Sequence, residues 1–160
     1  MKIIDDYLEE EYHQLIHDFM TGSSMPWFFQ PSVSRENEGD GHYFIHSFLE
    51  DGEFSVFFHL IHDMVYKIDP DNVVRIKANL YTKTNEIVEH AWHKDYDDSH
   101  KAAIYYVNTN NGYTQIGDER VESKANRLVI FDGGIPHHST TCTDEHLRVN
   151  IGLNWRKEYE

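Results

Sequence analysis

Six short segments follow one another between residues 73 and 155: VVRIKANLY, EIVEHAWHKD, KAAIYYVN, YTQI, RLVIFD and LRVNIGLNW. Each is rich in β-branched and aromatic residues, and turn-forming residues separate them. No stretch between them has the length and periodicity of a crossover helix. Parallel strands need such crossovers, so this order predicts an antiparallel sandwich or jelly roll. Asn111-Gly112, between YYVNTN and YTQI, has the composition of a tight hairpin turn.

The part before residue 73 reads differently. Residues 3–20 place Ile4, Leu8, Leu15, Ile16 and Phe19 near helical spacing with acids between them, which predicts an amphipathic helix. Thr21-Gly22-Ser23-Ser24 ends it. MPWFFQPSVS reads as a short proline-flanked strand, 34–42 as a polar loop, 53–68 as a second helix and 69–72 as a turn. The expected fold is mainly β with N-terminal helices: helical support over about 1–70 and a jelly-roll core over about 73–156. One domain should span 1–160, with no repeat or low-complexity segment.

Composition narrows the partners. Twenty-eight acidic residues against fourteen basic ones give a net charge of −14, which disfavours nucleic acid and anionic lipid. The first residues carry acids where a signal peptide has a basic flank, and no apolar run approaches eighteen residues. A lone cysteine, Cys142, fits a reducing compartment, so a cytoplasmic location is expected.

The chain has twelve histidines, and their spacing is what carries information. On a strand His93 and Asp95 point to the same face, so imidazole and carboxylate converge while His90 points elsewhere. H-x-D alone is a weak signal, and a third metal ligand must come from a distant strand. FDGGIPHHSTT supplies His137 and His138 as candidates. Two histidines and one carboxylate with open positions form the facial triad of non-haem Fe(II) oxygenases. His59 and His62 lie three apart on an expected helix but have no third partner at a matching spacing. Arg148 opens RVNIGLNW, where Arg148, Asn150, Gly152 and Asn154 share one face and Val149, Ile151, Leu153 and Trp155 the other. A guanidinium aimed into a barrel calls for an anion.

H-K-D at 93–95, I-Y-Y-V-N at 104–108, F-D-G-G-I-P-H at 131–137 and Arg148 in R-V-N-I-G-L-N together resemble the 2-oxoglutarate/Fe(II)-dependent dioxygenases. The likeness is to their prolyl-hydroxylase-like branch, especially its small phage- or marine-type members, and covers roughly 73–156. It implies a double-stranded β-helix of cupin-like jelly-roll type. It also implies Fe(II), with 2-oxoglutarate and O₂ as co-substrates and ascorbate as a reductant. The iron ligands would be His93, Asp95 and a distal histidine, His137 by its spacing to the arginine, with His138 as the alternative. Arg148 would bind the distal carboxylate of 2-oxoglutarate, helped by the Tyr106 hydroxyl, with Tyr81 and Asn79 lining the same pocket. The implied reaction couples decarboxylation of 2-oxoglutarate to succinate with hydroxylation of a C–H bond in a small-molecule or peptide substrate. Substrate access would lie at loop 31–42 and at 97–100. Two other readings are a cupin-like metal protein or isomerase without 2-oxoglutarate turnover, and a metal-free sugar- or protein-binding module.

Overall fold

The computed structural model describes residues 1–33 and 41–156. In chain order these form β1 (Lys2–Ile4), α1 (Glu10–Thr21), β2 (Phe28–Gln30), β3 (Tyr43–Glu50) and β4 (Glu53–Phe54). A 3-10 turn (Phe58–Leu60), α2 (His62–Ile68) and β5 (Asn72–Thr82) follow. The rest is β6 (Lys101–Tyr106), β7 (Tyr113–Ile116), β8 (Glu119–Glu122), β9 (Arg127–Asp132), β10 (His137–Ser139) and β11 (Leu147–Arg156).

Two antiparallel sheets face each other. The major sheet has the order β1-β9-β6-β11-β5-β3-β2, with β4 beside β3, and the minor sheet has the order β10-β7-β8. This is the expected jelly roll. The alternation along β11 decides what each face of the major sheet meets. Val149, Ile151, Leu153 and Trp155 join Ile76, Ala78, Leu80 and Tyr105 in a core that packs Ile16 and Met20 of α1 and Met64 of α2. The opposite face carries Arg148, Asn150, Gly152 and Asn154, paired in register with Tyr81, Asn79, Lys77 and Arg75 of β5. The minor sheet covers part of that face through a second core of Tyr106, Ile116, Val121, Val129 and Phe131. One sheet therefore has an apolar back against helices and a polar front turned inward.

Several local expectations change. Residues 2–4 are a strand paired with β9, and the helix begins only at Glu10, beyond Asp6 at φ 50°. Asn126 anchors that entry: its Oδ1 accepts the Leu8 N–H at 2.8 Å and its Nδ2 donates to the Leu8 carbonyl at 2.8 Å. The expected helix over 53–68 is divided into β4, the 3-10 turn and α2. β3 carries no clear strand signal in its sequence, because YFIHSFLE buries residues on both faces and lacks the strict alternation of a half-buried strand. The expected strand over 86–95 is reduced to two bridges, Glu89 with Thr140 and His93 with His137.

Asn111-Gly112 is not a hairpin. β6 lies in the major sheet and β7 in the minor one, so the chain crosses between sheets there. Asn111 ties to the loop after β10, its Oδ1 accepting the Thr143 N–H at 2.9 Å. The tight hairpin joins β7 to β8 instead, through Gly117 at φ 53°. No helix among the described residues is long and apolar enough to cross a membrane.

Candidate metal centre

His93 and His137 are opposed across an antiparallel bridge, each backbone N–H donating to the other's carbonyl at 3.0 Å. Directly opposed residues project to one side, and here the imidazole centroids lie 4.7 Å apart. Each ring uses Nδ1 locally, His93 with the Ala91 carbonyl at 3.1 Å and His137 with that of Ile135 at 3.0 Å. A ring N–H donated to a carbonyl fixes the tautomer that leaves Nε2 as a lone-pair donor. Asp95 completes the group: its Oδ2 is 3.8 Å from His137 Nε2, and ligand atoms of all three residues lie within 4.8 Å of one another.

The protonation states suit a cation. Burial alone would raise the Asp95 carboxyl, but Arg75, His137 and an Asn154 hydrogen bond outweigh it and hold it well below the usual carboxylate range. Burial pushes His137 below the ordinary imidazole value against the opposing pull of Asp95, so the ring is neutral near pH 7. Two imidazoles with one carboxylate match the donor set of an Fe(II) facial triad.

His138, the neighbouring candidate, turns the other way. Its ring packs edge-on against Trp92 at 4.6 Å and near Tyr113 at 6.3 Å. His90 also lies outside the triad, stacked on Tyr81 with its Nδ1 at 2.8 Å from Ser139 Oγ. His59 and His62 are exposed on the helical side and join no ligand group among the described residues.

A second polar cluster joins the two sheets, from Arg148 on β11 to Thr114 on β7. Arg148 is completely buried, with Nε donating to Ser123 Oγ at 2.9 Å and one terminal nitrogen donating to Thr114 Oγ1 at 3.0 Å. Its other terminal nitrogen, also buried, donates to nothing among the described residues. A buried cationic donor left unpaired is costly, so this site fits an anionic acceptor supplied from outside the chain. Thr114, its hydrogen-bond partner, lines the same cavity as His93, Asp95, His137, Asn79 and Tyr81. Tyr106 lies behind Thr114. Its hydroxyl donates to Thr114 Oγ1 at 2.9 Å, and burial keeps it protonated above the usual phenol range.

No family model matches the sequence, and no curated protein matches it. Solved structures do. A prolyl-4-hydroxylase from Pseudomonas putida superposes with a TM-score of 0.65 at 15% identity, covering 98% of this chain and 92% of that one. A Trichoplax adhaerens prolyl hydroxylase, in complex with a hypoxia-inducible-factor degradation-domain peptide, gives 0.69 at 13%, covering 96% and 82%. A 2OG-Fe(II) oxygenase family oxidoreductase from Burkholderia pseudomallei gives 0.66 at 11%, covering 95% and 83%. The fold is that of the prolyl-hydroxylase-like 2-oxoglutarate/Fe(II) oxygenases.

Within this oxygenase fold, His93, Asp95 and His137 line one cavity together with Thr114, the residue that accepts from Arg148. Tyr81 and Asn79 line it, Tyr81 taking the Ser139 hydroxyl at 3.0 Å and Asn79 donating to Asn150 Oδ1 at 2.9 Å. Tyr106, expected to assist the same carboxylate as Arg148, has its ring 5.9 Å from the guanidinium and its hydroxyl on Thr114. The segment 97–100 is tied down, with Asp98 bound to Arg156 at 2.7 Å and His100 buried. Of loop 31–42, residues 34–40 lie outside the described residues, while Val33 touches the cavity.

Sequence reasoning missed Arg75, which pairs with Asp95 at 2.7 Å, and the two hydroxyls that hold Arg148. The signal for Arg75 is present: Arg75, Lys77, Asn79 and Tyr81 alternate with apolar residues along β5. Thr114 and Ser123 had no such signal, since single hydroxyls in short strands are common.

Proposed function

We propose that the chain is an Fe(II)- and 2-oxoglutarate-dependent dioxygenase that hydroxylates a C–H bond of a small-molecule or peptide substrate. The observation that carries this reading is the buried Arg148 terminal nitrogen without an acceptor among the described residues, on a guanidinium held by Thr114, which lines the cavity of the His-Asp-His cluster. A cupin-like metal protein that takes no 2-oxoglutarate has no use for that guanidinium.

On this reading His93 and His137 offer Nε2, and Asp95 offers a carboxylate oxygen, to Fe(II). Bound iron would activate O₂, the oxidant, and 2-oxoglutarate, oxidised to succinate and CO₂, would supply two of the electrons that O₂ takes up. Arg148 pairs with the far carboxylate of 2-oxoglutarate, and a charge-assisted contact in a buried site is worth more than one in water. Thr114 and Ser123 hold the guanidinium in place. Tyr81, Asn79 and Phe131 line the cavity, with the Phe131 ring 5.3 Å from that of His137. Ascorbate would act from outside by keeping the iron ferrous. A cytoplasmic enzyme without nucleic-acid or membrane partners fits the acidic composition and single cysteine.

The test is conversion of 2-oxoglutarate to succinate by Fe(II)-loaded protein in air. Succinate formation that requires both Fe(II) and O₂, and is abolished in His93→Ala, supports the reading. Tight Fe(II) binding with no succinate, under any substrate mixture that includes prolyl peptides and free amino acids, contradicts it.

A further inference from the structure

His93 and His137 owe their positions to the backbone, since their bridge fixes both residues at once. Asp95 lies two residues beyond that bridge and belongs to no strand. Its carboxylate is held instead by the front of the major sheet. Arg75 and Asn154 are register partners on β5 and β11. One Arg75 terminal nitrogen donates to Asp95 Oδ1 at 2.7 Å and to Asn154 Oδ1 at 3.1 Å. Asn154 Nδ2 donates to Asp95 Oδ2 at 2.9 Å, which closes a triangle of three side chains. The guanidinium also lies 5.3 Å from the Tyr96 ring. Side-chain exposure is 17% for Arg75 and 20% for Asp95, so the pair is largely withdrawn from water and far less screened than a surface ion pair. The β5–β11 register shifts immediately after Asn154, and bulges beside active sites commonly re-aim a side chain.

We propose that Arg75 is a positioning residue that makes Asp95 a one-oxygen iron ligand. This rests on reading His93, Asp95 and His137 as the metal ligands. Oδ2 is the oxygen on the His137 side, and Oδ1 is turned to Arg75. Because Asn154 and Tyr96 also hold the guanidinium, it cannot follow a rotation of the carboxylate. Oδ1 is thereby kept from the metal, and the position that a two-oxygen carboxylate would fill stays open for the co-substrate. Without the guanidinium, Asp95 is both less pre-oriented and free to chelate. The metal is then held in a different geometry as well as more weakly.

The experiment is anaerobic titration with Co(II), followed by its ligand-field absorption, on wild type, Arg75→Met, Arg75→Lys and Asn154→Ala. Circular dichroism checks that each variant is folded. Arg75→Met should weaken Co(II) affinity about tenfold or more, the usual effect of removing a group that orients a metal ligand. At saturating Co(II) its bands should weaken and move as the coordination number rises. Arg75→Lys, which still offers an N–H to Oδ1, should restore much of the wild-type spectrum, a rescue that a merely structural role would not produce. Asn154→Ala should shift both readouts the same way by less, and it carries the test if Arg75→Met does not fold. Wild-type Co(II) binding with unchanged affinity and bands in the folded variants overturns the proposal alone. A wild type that takes up no Co(II) overturns the ligand reading and the proposal with it.

Discussion

Arg148 and Thr114 are joined by a 3.0 Å hydrogen bond inside the jelly roll, and Thr114 Oγ1 also accepts the Tyr106 hydroxyl. One threonine oxygen, on the cavity wall, thus engages both residues. Arg148→Ala should weaken 2-oxoglutarate binding roughly 100-fold, about 2.8 kcal/mol, because it removes the buried cation itself. Thr114→Val should weaken it about tenfold, since the cation stays but loses its alignment. Calorimetric titration of 2-oxoglutarate into Zn(II)-loaded protein measures both. Metal affinity should be preserved in each variant.

Gly112 matters for packing rather than for a turn. A Cβ at this position would lie 2.6 Å from Arg148 Cδ and 2.7 Å from the Thr141 carbonyl oxygen. Gly112→Ala should therefore destabilise the protein by about 1–3 kcal/mol through overpacking. Thermal melting should show a fall of roughly 2–4 °C per kcal/mol. Titration of the folded fraction should show weakened 2-oxoglutarate binding, because the strain falls on the arginine stem.

The adjacent histidines separate cleanly. His137→Ala should remove most Fe(II) or Co(II) affinity, whereas His138→Ala should leave it within about threefold and lower thermal stability through lost packing on Trp92. Parallel metal titrations and melts of the two variants decide the assignment. Equal metal loss in both would place the metal elsewhere.

How far the residues alone reveal this site depends on which interactions repeat along the chain. The strand character of 101–106, 127–132 and 147–156 was legible, because apolar and β-branched residues dominate those segments. The polar front of β11 was legible because four residues share one parity. The triad was legible from H-x-D and a later histidine, although 86–95 is not the regular strand that motivated the pairing. His93 and Asp95 converge through a bridge and a salt bridge to β5. Which histidine of the doublet faces inward depends on the register of β10 against β7, which no local pattern encodes. The misread Asn111-Gly112 teaches the same lesson. Its composition suits a hairpin, but glycine is needed there by a side chain thirty-six residues away.

Stability should fall on mild acidification. Burial lowers His13 and His46 below the ordinary imidazole value, in His46 against an opposing hydrogen bond to the Pro26 carbonyl. The unfolded chain therefore takes up protons first as pH drops below about 6.5, which favours unfolding until the folded-state groups also protonate. The melting temperature should decline from pH 7.5 to 5.5. In His46→Gln the decline should be shallower, because one of these groups no longer titrates. A flat profile in wild type would contradict the buried, neutral state of both rings.

The central claim is that one cavity holds Fe(II) at His93, Asp95 and His137 while Arg148 holds the far end of 2-oxoglutarate. Its most direct measurement is the visible absorption of Fe(II)-loaded protein on anaerobic addition of 2-oxoglutarate. The account predicts a weak charge-transfer band that is absent in His93→Ala and requires a much higher 2-oxoglutarate concentration in Arg148→Ala. Wild-type protein that binds Fe(II) yet develops no such band, or an Arg148→Ala variant that titrates like wild type, would contradict it.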